Sequence, residues 1–439
     1  MNFRAVGMSE HNSTMWEKLQ AMWRVKEVRN GLFFVFAMMI IFRITAHIPL
    51  PGIDLDALHR YFQANQVLGL LNLFSGGTVR NFAVVALGVA PYITASIIFQ
   101  LLAMIVPRME EIQKDGEAGR QRINQWTRLA TVPLAILQSF GLIQILRQSQ
   151  FNILTRTDLL HMVTLIATVT AGTVFLMWIG ELISEKKVGN GISLLIFAGI
   201  MADLPQSASQ LLASYDSSQF FTYLIYAAIA VATVVGVVFI TEGQRNIPVQ
   251  YARQVRGTTG SIGGVSTHLP LRVNMSGVIP IIFAISILMF PTVVAQFFVY
   301  ARSAWLANSA QWVIQVMQNQ IVYGGLYFAL VIAFTFFYSS IVFHPEQIAE
   351  NLQKQGGFIL GIRPGKPTAD YLTYVTNRIN LIGALFLGVI AILPILAQGA
   401  GGNRLLAIGG TSLLIVVSVV IESVKQVESQ LTMNDYDAV

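Results

Sequence analysis

The chain contains no cysteine. A disulfide framework, a thiolate metal site and a thiol nucleophile are therefore excluded. Charge is also scarce: Asp, Glu, Lys and Arg make up 11% of 439 residues, against about 25% in a soluble protein. Hydrophobic residues make up 54%. So little charge does not keep that much apolar surface in water. A disordered chain, a nucleic-acid-binding globule and an ordinary cytosolic enzyme are ruled out. The apolar residues fall in long runs, the pattern of membrane-spanning helices. The first run begins near Gly31 and lacks a small-residue cleavage site, so it reads as a retained helix and not as a signal peptide.

Catalytic patterns are missing too. There is no HExxH, and His344-Pro345-Glu346 has the wrong order. There is no GxSxG. The run from Gly361 to Thr368 places three residues between its glycines, and Pro367 follows Lys366, so it cannot cradle a phosphate as a Walker loop does. The chain reads as a non-enzyme without cofactor, metal or energy source of its own. Ion-coupled carriers need buried acids or histidines as relays. Arg43, His47, His161 and Glu181 are the candidates, and no span has a carboxylate near its middle. Each can snorkel or pair locally. Arg43, the most interior, reads as an ion pair or a carbonyl cap.

What is present is a series of ten candidate spans, near residues 30–48, 81–106, 129–146, 159–183, 192–204, 220–241, 273–298, 321–343, 379–397 and 405–421. The fifth is short and needs the preceding GNG or the following residues to cross; the tenth is slightly short. With the N-terminus in the cytoplasm, 21 of the 28 Lys and Arg fall on inner segments and 6 on outer loops, with Arg43 inside the first span. This is the positive-inside bias. Net charge is +6. Before the first span, Trp16, Leu19 and Trp23 share a helix face, and Lys18, Arg24, Lys26 and Arg29 supply charge. That segment reads as an amphipathic surface helix or as a solvated tail.

Two inner loops, 242–272 and 344–378, are long, basic and rich in Gly and Pro, and look like docking loops. In the first outer loop, QVLGLLNLFSGG (66–77) is too short to span. It fits a re-entrant half-helix or a loop packed on the outer surface. Two halves of five spans permit an inverted repeat, although no sequence repeat is visible. The second span holds Pro91 and the seventh Pro280 and Pro291. Such residues let helices bend and approach closely. Their β-branched residues either form a hydrophobic constriction or simply pack helices. Pattern alone favours an inverted-repeat small-solute transporter, and an intramembrane enzyme has no supporting residue set.

A set of runs narrows this. PLPGID (49–54), LFSGG (73–77), ALGVAPYITASIIFQLL (86–102), GEAGR (116–120), FLMWIGE (175–181) and GNGISLLIFAGI (189–200) occur in order. They are followed by EGQRNIPVQYA (242–252), STHLPLRVNMSGVIPIIFA (266–284), NLQKQGGFILGIRPGKPTADYL (351–372) and GGTSLLIVVSVV (409–420). Together they resemble the SecY family, central subunits of the bacterial protein-conducting channel.

The resemblance implies an all-α polytopic membrane protein, with ten helices in two pseudo-symmetric halves at 30–205 and 206–421. A cytoplasmic segment 1–29 precedes them and a cytoplasmic tail 422–439 follows. It implies a pore ring of Val89, Ile93, Ile192, Ile196, Ile282 and Ile415. A re-entrant plug over about 64–77 would carry Leu68, Leu71, Leu73, Phe74, Ser75, Gly76 and Gly77. A lateral gate would involve Thr94, Gln138, Asn274 and Phe290. Partner docking would fall to Arg245, Arg253, Arg256, Arg363 and Lys366, with Arg363 foremost. The implied partners are SecE, SecG, the motor SecA, the ribosome, signal peptides and nascent chains, with YidC, SecD/SecF and membrane phospholipid besides. The implied place is the bacterial plasma membrane, with both termini cytoplasmic. Three departures stand out. Val89 is smaller than the isoleucine often found there, Asn246 occupies a loop that often carries a further basic residue, and Leu360 replaces a proline common before GIRPG.

The cysteine-free sequence makes the alternation testable. A single cysteine placed in 242–272 should react with an impermeant maleimide from the cytoplasmic side, and one in 299–320 from the opposite side. Labelling of both from one side would break the ten-span order.

Overall fold

A computed structural model of the chain describes residues 23, 25–64, 78–79, 81–147, 151, 153–156, 158–213, 220–251, 266–299, 303–399 and 409–437. The described residues are mostly helical. The elements are α1 (Lys26–Thr45), α2 (Leu55–Ala64), α3 (Ala90–Ile105), α4 (Pro107–Lys114), α5 (Glu117–Arg147), α6 (Leu159–Glu185), α7 (Gly191–Ala213) and α8 (Phe220–Glu242). Strands β1 (Gln244–Tyr251) and β2 (Ser266–Arg272) follow. Then come α9 (Ile279–Phe298), α10 (Ala304–Gln318), α11 (Gln320–Val342), α12 (Pro345–Lys354), β3 (Gly357–Ile359), α13 (Lys366–Gly399) and α14 (Gly409–Asp437). Among the described residues, six helices are long and apolar enough to cross a membrane, drawn from α1, α5, α6, α8, α11 and α13. The α3–α4 pair, bent by 106°, makes a seventh if it counts as one span. Apolar parts of α7 and α9 are shorter.

The chain divides into two compact units. One comprises Met1–Tyr92, Gln125–Pro205 and Val419–Val439; the other comprises Ile93–Asn124 and Gln206–Ser418.

In the first unit, the helix expected over 81–106 begins only at Ala90. Residues 81–89 instead form tight turns, with Phe82 and Gly88 in the left-handed region. Phe82, Ala83, Val85, Ala86, Leu87 and Val89 are buried there. Non-helical backbone inside a membrane protein must find its hydrogen bonds within the protein. Here Leu50 N donates to Phe82 O at 3.0 Å, Val84 N to Ile48 O at 3.0 Å, and Thr78 Oγ1 to Ala86 O at 3.2 Å. Gly172 on α6 makes the room, because a Cβ there would overlap the Val84 carbonyl. Pro91 consequently stands in the first turn of α3, where a missing N–H costs nothing, and not inside a span. Pro280 sits likewise at the start of α9, and Pro291 lies inside it.

The GNG run does not lengthen the fifth span. Asn190 caps α7, its Oδ1 accepting from Ile192 N at 3.1 Å and Ser193 N at 3.3 Å. Ser184 Oγ donates to Gly180 O at 2.9 Å and accepts from Gly191 N at 2.9 Å, which closes the α6–α7 turn. The length comes from the following residues, as α7 runs past Pro205 to Ala213.

In the second unit, α11 packs on α9 and α13, and α10 packs on α9 and α11. The two long inner loops are not loops throughout. β1 pairs antiparallel with both β2 and β3, giving the order β2-β1-β3. Val249 lies opposite both Thr267 and Ile359. Beneath this sheet, Ile247, Val249, Leu271, Ile359, Leu372 and Val375 form one buried cluster. Each such side chain contributes about 1.5–3 kcal/mol when removed from water. Residues of 242–272 and 344–378 therefore share one core.

Two substitutions test this packing in detergent-solubilised protein by thermal unfolding. Gly172→Val should lower the midpoint, because overpacking against backbone costs about 1–3 kcal/mol. Leu372→Ala should destabilise the sheet core by about 2–5 kcal/mol. An unchanged midpoint in either would contradict the packing described.

Candidate functional site

The six ring candidates are apolar and placed on helix starts or helix interiors. Val89 immediately precedes α3 and Ile93 lies in its first turn. Ile192 and Ile196 are one turn apart on α7, so they share a face. Ile282 is in the first turn of α9 and Ile415 is on α14. Val89, Ile93, Ile196, Ile282 and Ile415 are buried, and Ile192 is half-buried. Val89, Ile192 and Ile196 belong to the first unit; Ile93, Ile282 and Ile415 belong to the second. Within the first unit the Ile192 tip rests on Gly180, where an added Cβ would come 2.6 Å from Ile192 Cδ1. Any plug residue named above (Leu68, Leu71, Leu73, Phe74, Ser75, Gly76, Gly77) lies outside the described residues, as do Arg253 and Arg256. So does nearly all of the amphipathic segment before α1, of which only Trp23 and the residues from Val25 onward are described.

The gate candidates differ in environment. Phe290 is 51% exposed, an apolar ring of α9 without full cover in the chain alone. Thr94 and Gln138 are half-buried. Asn274 is buried and serves its own turn: Nδ2 donates to Gly277 O at 3.3 Å, and Oδ1 accepts from Ser276 Oγ at 3.4 Å. Gly277, at a φ of 61°, lets that turn lead into α9.

Of the docking candidates, the described Arg245, Arg363 and Lys366 lie on or next to one sheet. Arg245 is exposed on β1, and Arg363 is exposed in the turn between β3 and α13. Lys366, also exposed, opens α13. Because β3 pairs with β1, one sheet carries both loops. Gly361 and Gly365, at φ of 81° and 95°, make the tight turns on either side of Arg363. Thr368 Oγ1 donates to the Arg363 carbonyl at 2.9 Å. Other cations on this platform are engaged: Lys354 bridges Glu350 at 2.7 Å, and its hydrogen bond holds the Glu350 carboxyl below the usual range. Arg378 lies 4.4 Å over the Tyr374 ring. Arg272 is the further exposed basic residue of the sheet.

Three of the four intramembrane polar candidates have partners, whereas His161 Nε2 is buried against Gly52 with no hydrogen-bond partner. Arg128 of α5 bridges Glu181 of α6. Arg43 interacts electrostatically with Asp203, a partner the sequence reading did not name. His47 Nδ1 donates to Arg43 O at 2.7 Å. Sequence reading also missed the three strands and α10. The strands had a signal, the alternation of Ile247 and Val249, and of Leu269 and Leu271, with polar or proline neighbours.

The SecY family model matches residues 83–424. The protein translocase subunit SecY of Streptomyces scabiei is 41% identical over 431 residues, covering 94% of this chain and 97% of that one. Its counterpart in Mycobacterium tuberculosis H37Rv is 42% identical over 435 residues, with the same coverage. That of Corynebacterium glutamicum is 43% identical over 432 residues, again with the same coverage. Two solved structures are similar. One, of a protein conducting channel, gives a TM-score of 0.63 at 16% identity and covers 91% of each chain. The other concerns the plug domain of a SecY protein and its closed channel; it gives 0.62 at 17% identity and covers 97% of this chain and 95% of that one. Those structures agree in fold, and the relatives at 41–43% identity settle the kinship: this chain is a multi-pass membrane protein of the SecY family.

Proposed function

We propose that the chain is the channel subunit through which unfolded secretory polypeptides cross the membrane and membrane segments leave sideways. The observation that carries this is identity of 41–43% along 94% of the chain to proteins named protein translocase subunit SecY. It displaces the inverted-repeat small-solute transporter. We further place the chain in the bacterial plasma membrane, with ten spans, both termini in the cytoplasm and a plug at about 64–77. We take the halves as 30–205 and 206–421; the compact units share the break after Pro205 but group Ile93–Asn124 with the later residues and Val419–Val439 with the earlier ones.

The physics suits that role. A polypeptide in lipid exposes unpaired amides, each costing several kcal/mol. A water-filled path removes the cost. An apolar ring of Val89, Ile93, Ile192, Ile196, Ile282 and Ile415 makes few specific bonds with passing side chains and closes by dewetting. A signal sequence gains about 0.8 kcal/mol for each CH₂ moved into lipid, which biases a gate between Thr94 and Phe290 toward opening. In support, Ile93–Asn124 clusters with the second-half helices and not with the residues just before it. Thr94 and Phe290 thereby fall in the same compact unit. Work comes from partners, since the chain has no nucleotide loop. SecE and SecG would embrace the helices. SecA or the ribosome would dock on the basic sheet, where Arg245, Arg363 and Lys366 meet acidic patches or RNA phosphates.

Cysteines at Thr94 and Phe290 should stop translocation when oxidised and release it when reduced; secretion through a fully oxidised pair would contradict the gate. Replacing Ile93 and Ile282 by Gly should raise ion leak, and an unchanged membrane potential would reduce both to packing residues. Arg363→Glu should cost about 1–2 kcal/mol of motor or ribosome affinity, roughly tenfold, read by a binding titration. Unaltered binding would move the docking site elsewhere.

A further inference from the structure

Helix α10 joins α9 to α11 at the ends of these helices remote from the sheet, since β2 leads into α9 and β3 follows α11. Its 15 residues, AWLANSAQWVIQVMQ, carry no charge. They divide into three faces. Ala307, Ala310, Ile314 and Met317 are buried or half-buried and recur at helical spacing, which marks the side packed on α9 and α11. Asn308, Gln311, Gln315 and Gln318 form an exposed polar stripe. Trp305 and Trp312 are two turns apart, on one side of the helix, and are 74% and 65% exposed.

The level of this helix is fixed by its neighbours. Asn319 both ends α10 and caps α11, its Oδ1 accepting from Ile321 N at 3.0 Å. So α10 stops one residue before a helix long and apolar enough to span. Ile321, in the first turn of α11, is itself exposed. The end of α10 therefore lies where hydrocarbon gives way to headgroups, provided α11 spans the membrane as the family reading holds. Packing against both α9 and α11 holds α10 to these helices and does not project it into water.

An uncharged helix at that level, with two exposed indoles and a polar stripe beside them, matches the chemistry of the lipid interface. Indole rings settle at the headgroup boundary, apolar body inward and N–H toward water. We propose that α10 is an interfacial anchor whose Trp305–Trp312 face binds phospholipid in the leaflet remote from the sheet. Anchored there, it tethers the far end of α9, the helix that carries Phe290.

The test uses the purified complex in phospholipid vesicles whose acyl chains carry bromine near the headgroup or near the bilayer centre. A variant with Trp16, Trp23, Trp126 and Trp178 replaced by Phe, assembled with partner subunits freed of Trp in the same way, reports Trp305 and Trp312 alone. Their emission should fall severalfold with shallow bromines, fall less with deep ones, and resist aqueous acrylamide, as expected at a depth of about 5–10 Å. If the variant fails to assemble, the difference between the native protein and W305F/W312F gives the same reading. Emission untouched by either bromine position overturns the proposal. Acrylamide quenching then assigns the face to water, and its absence assigns it to a protein subunit. Trp178, exposed on α6, is the control in a variant that keeps only that indole. Its failure to quench would indict the membrane reading itself and not the anchor.

Discussion

The satisfaction of backbone amides away from water governs this molecule. A helix does it within itself, which is why the described chain is mostly helical. Where the chain leaves the helix among the spans, partners are supplied residue by residue. The buried turns at 81–89 accept a hydrogen bond from Leu50 N and donate one to Ile48 O. Gly172 withdraws its side chain so that the Val84 carbonyl fits. The same requirement makes a channel necessary, because an unfolded polypeptide brings amides that lipid cannot satisfy.

Above the spans of the second unit, the solution changes from helix to sheet. β1 pairs with two strands that follow it in sequence, one before α9 and one after α12, and the cluster under them reaches α13 through Leu372, Val375 and Ile379. A basic residue on a free loop binds a partner only after ordering costs are met. Arg363 sits instead between two glycine turns and a threonine hydrogen bond, on a packed base. The helix-to-sheet change thus links the fixed setting of Arg363 to the stability of the sheet core.

Legibility in the sequence followed the strength of the physical signal. Long apolar runs with basic flanks gave the spans, and their ends moved where local chemistry intervened. The second span shortened because Phe82 and Gly88 adopt left-handed backbone, which hydropathy does not register. Asn190 stopped α7 from growing backward because its side chain prefers to cap. The strands were missed because runs of three to eight residues are drowned by a Gly- and Pro-rich context. Helix α10 was missed because it is too polar for a span and too uncharged for a surface helix. The ring positions came from resemblance, since an isoleucine in a helix looks the same whether it packs or lines a path. The gate position of Asn274 came from the same resemblance; in the structure its side chain bonds Gly277 and Ser276 of its own turn.

The most direct measurement of the channel is a contact map of a polypeptide held halfway across. A secretory chain with a folded domain at its end can be stalled in vesicles bearing this protein, with a photoreactive residue at Ile196, at Ile282 or at exposed Phe239. The expected result is cross-linking to the stalled chain from positions 196 and 282 and none from 239. Equal yields at all three, or a yield from 239 alone, would contradict a path through the protein lined by this ring.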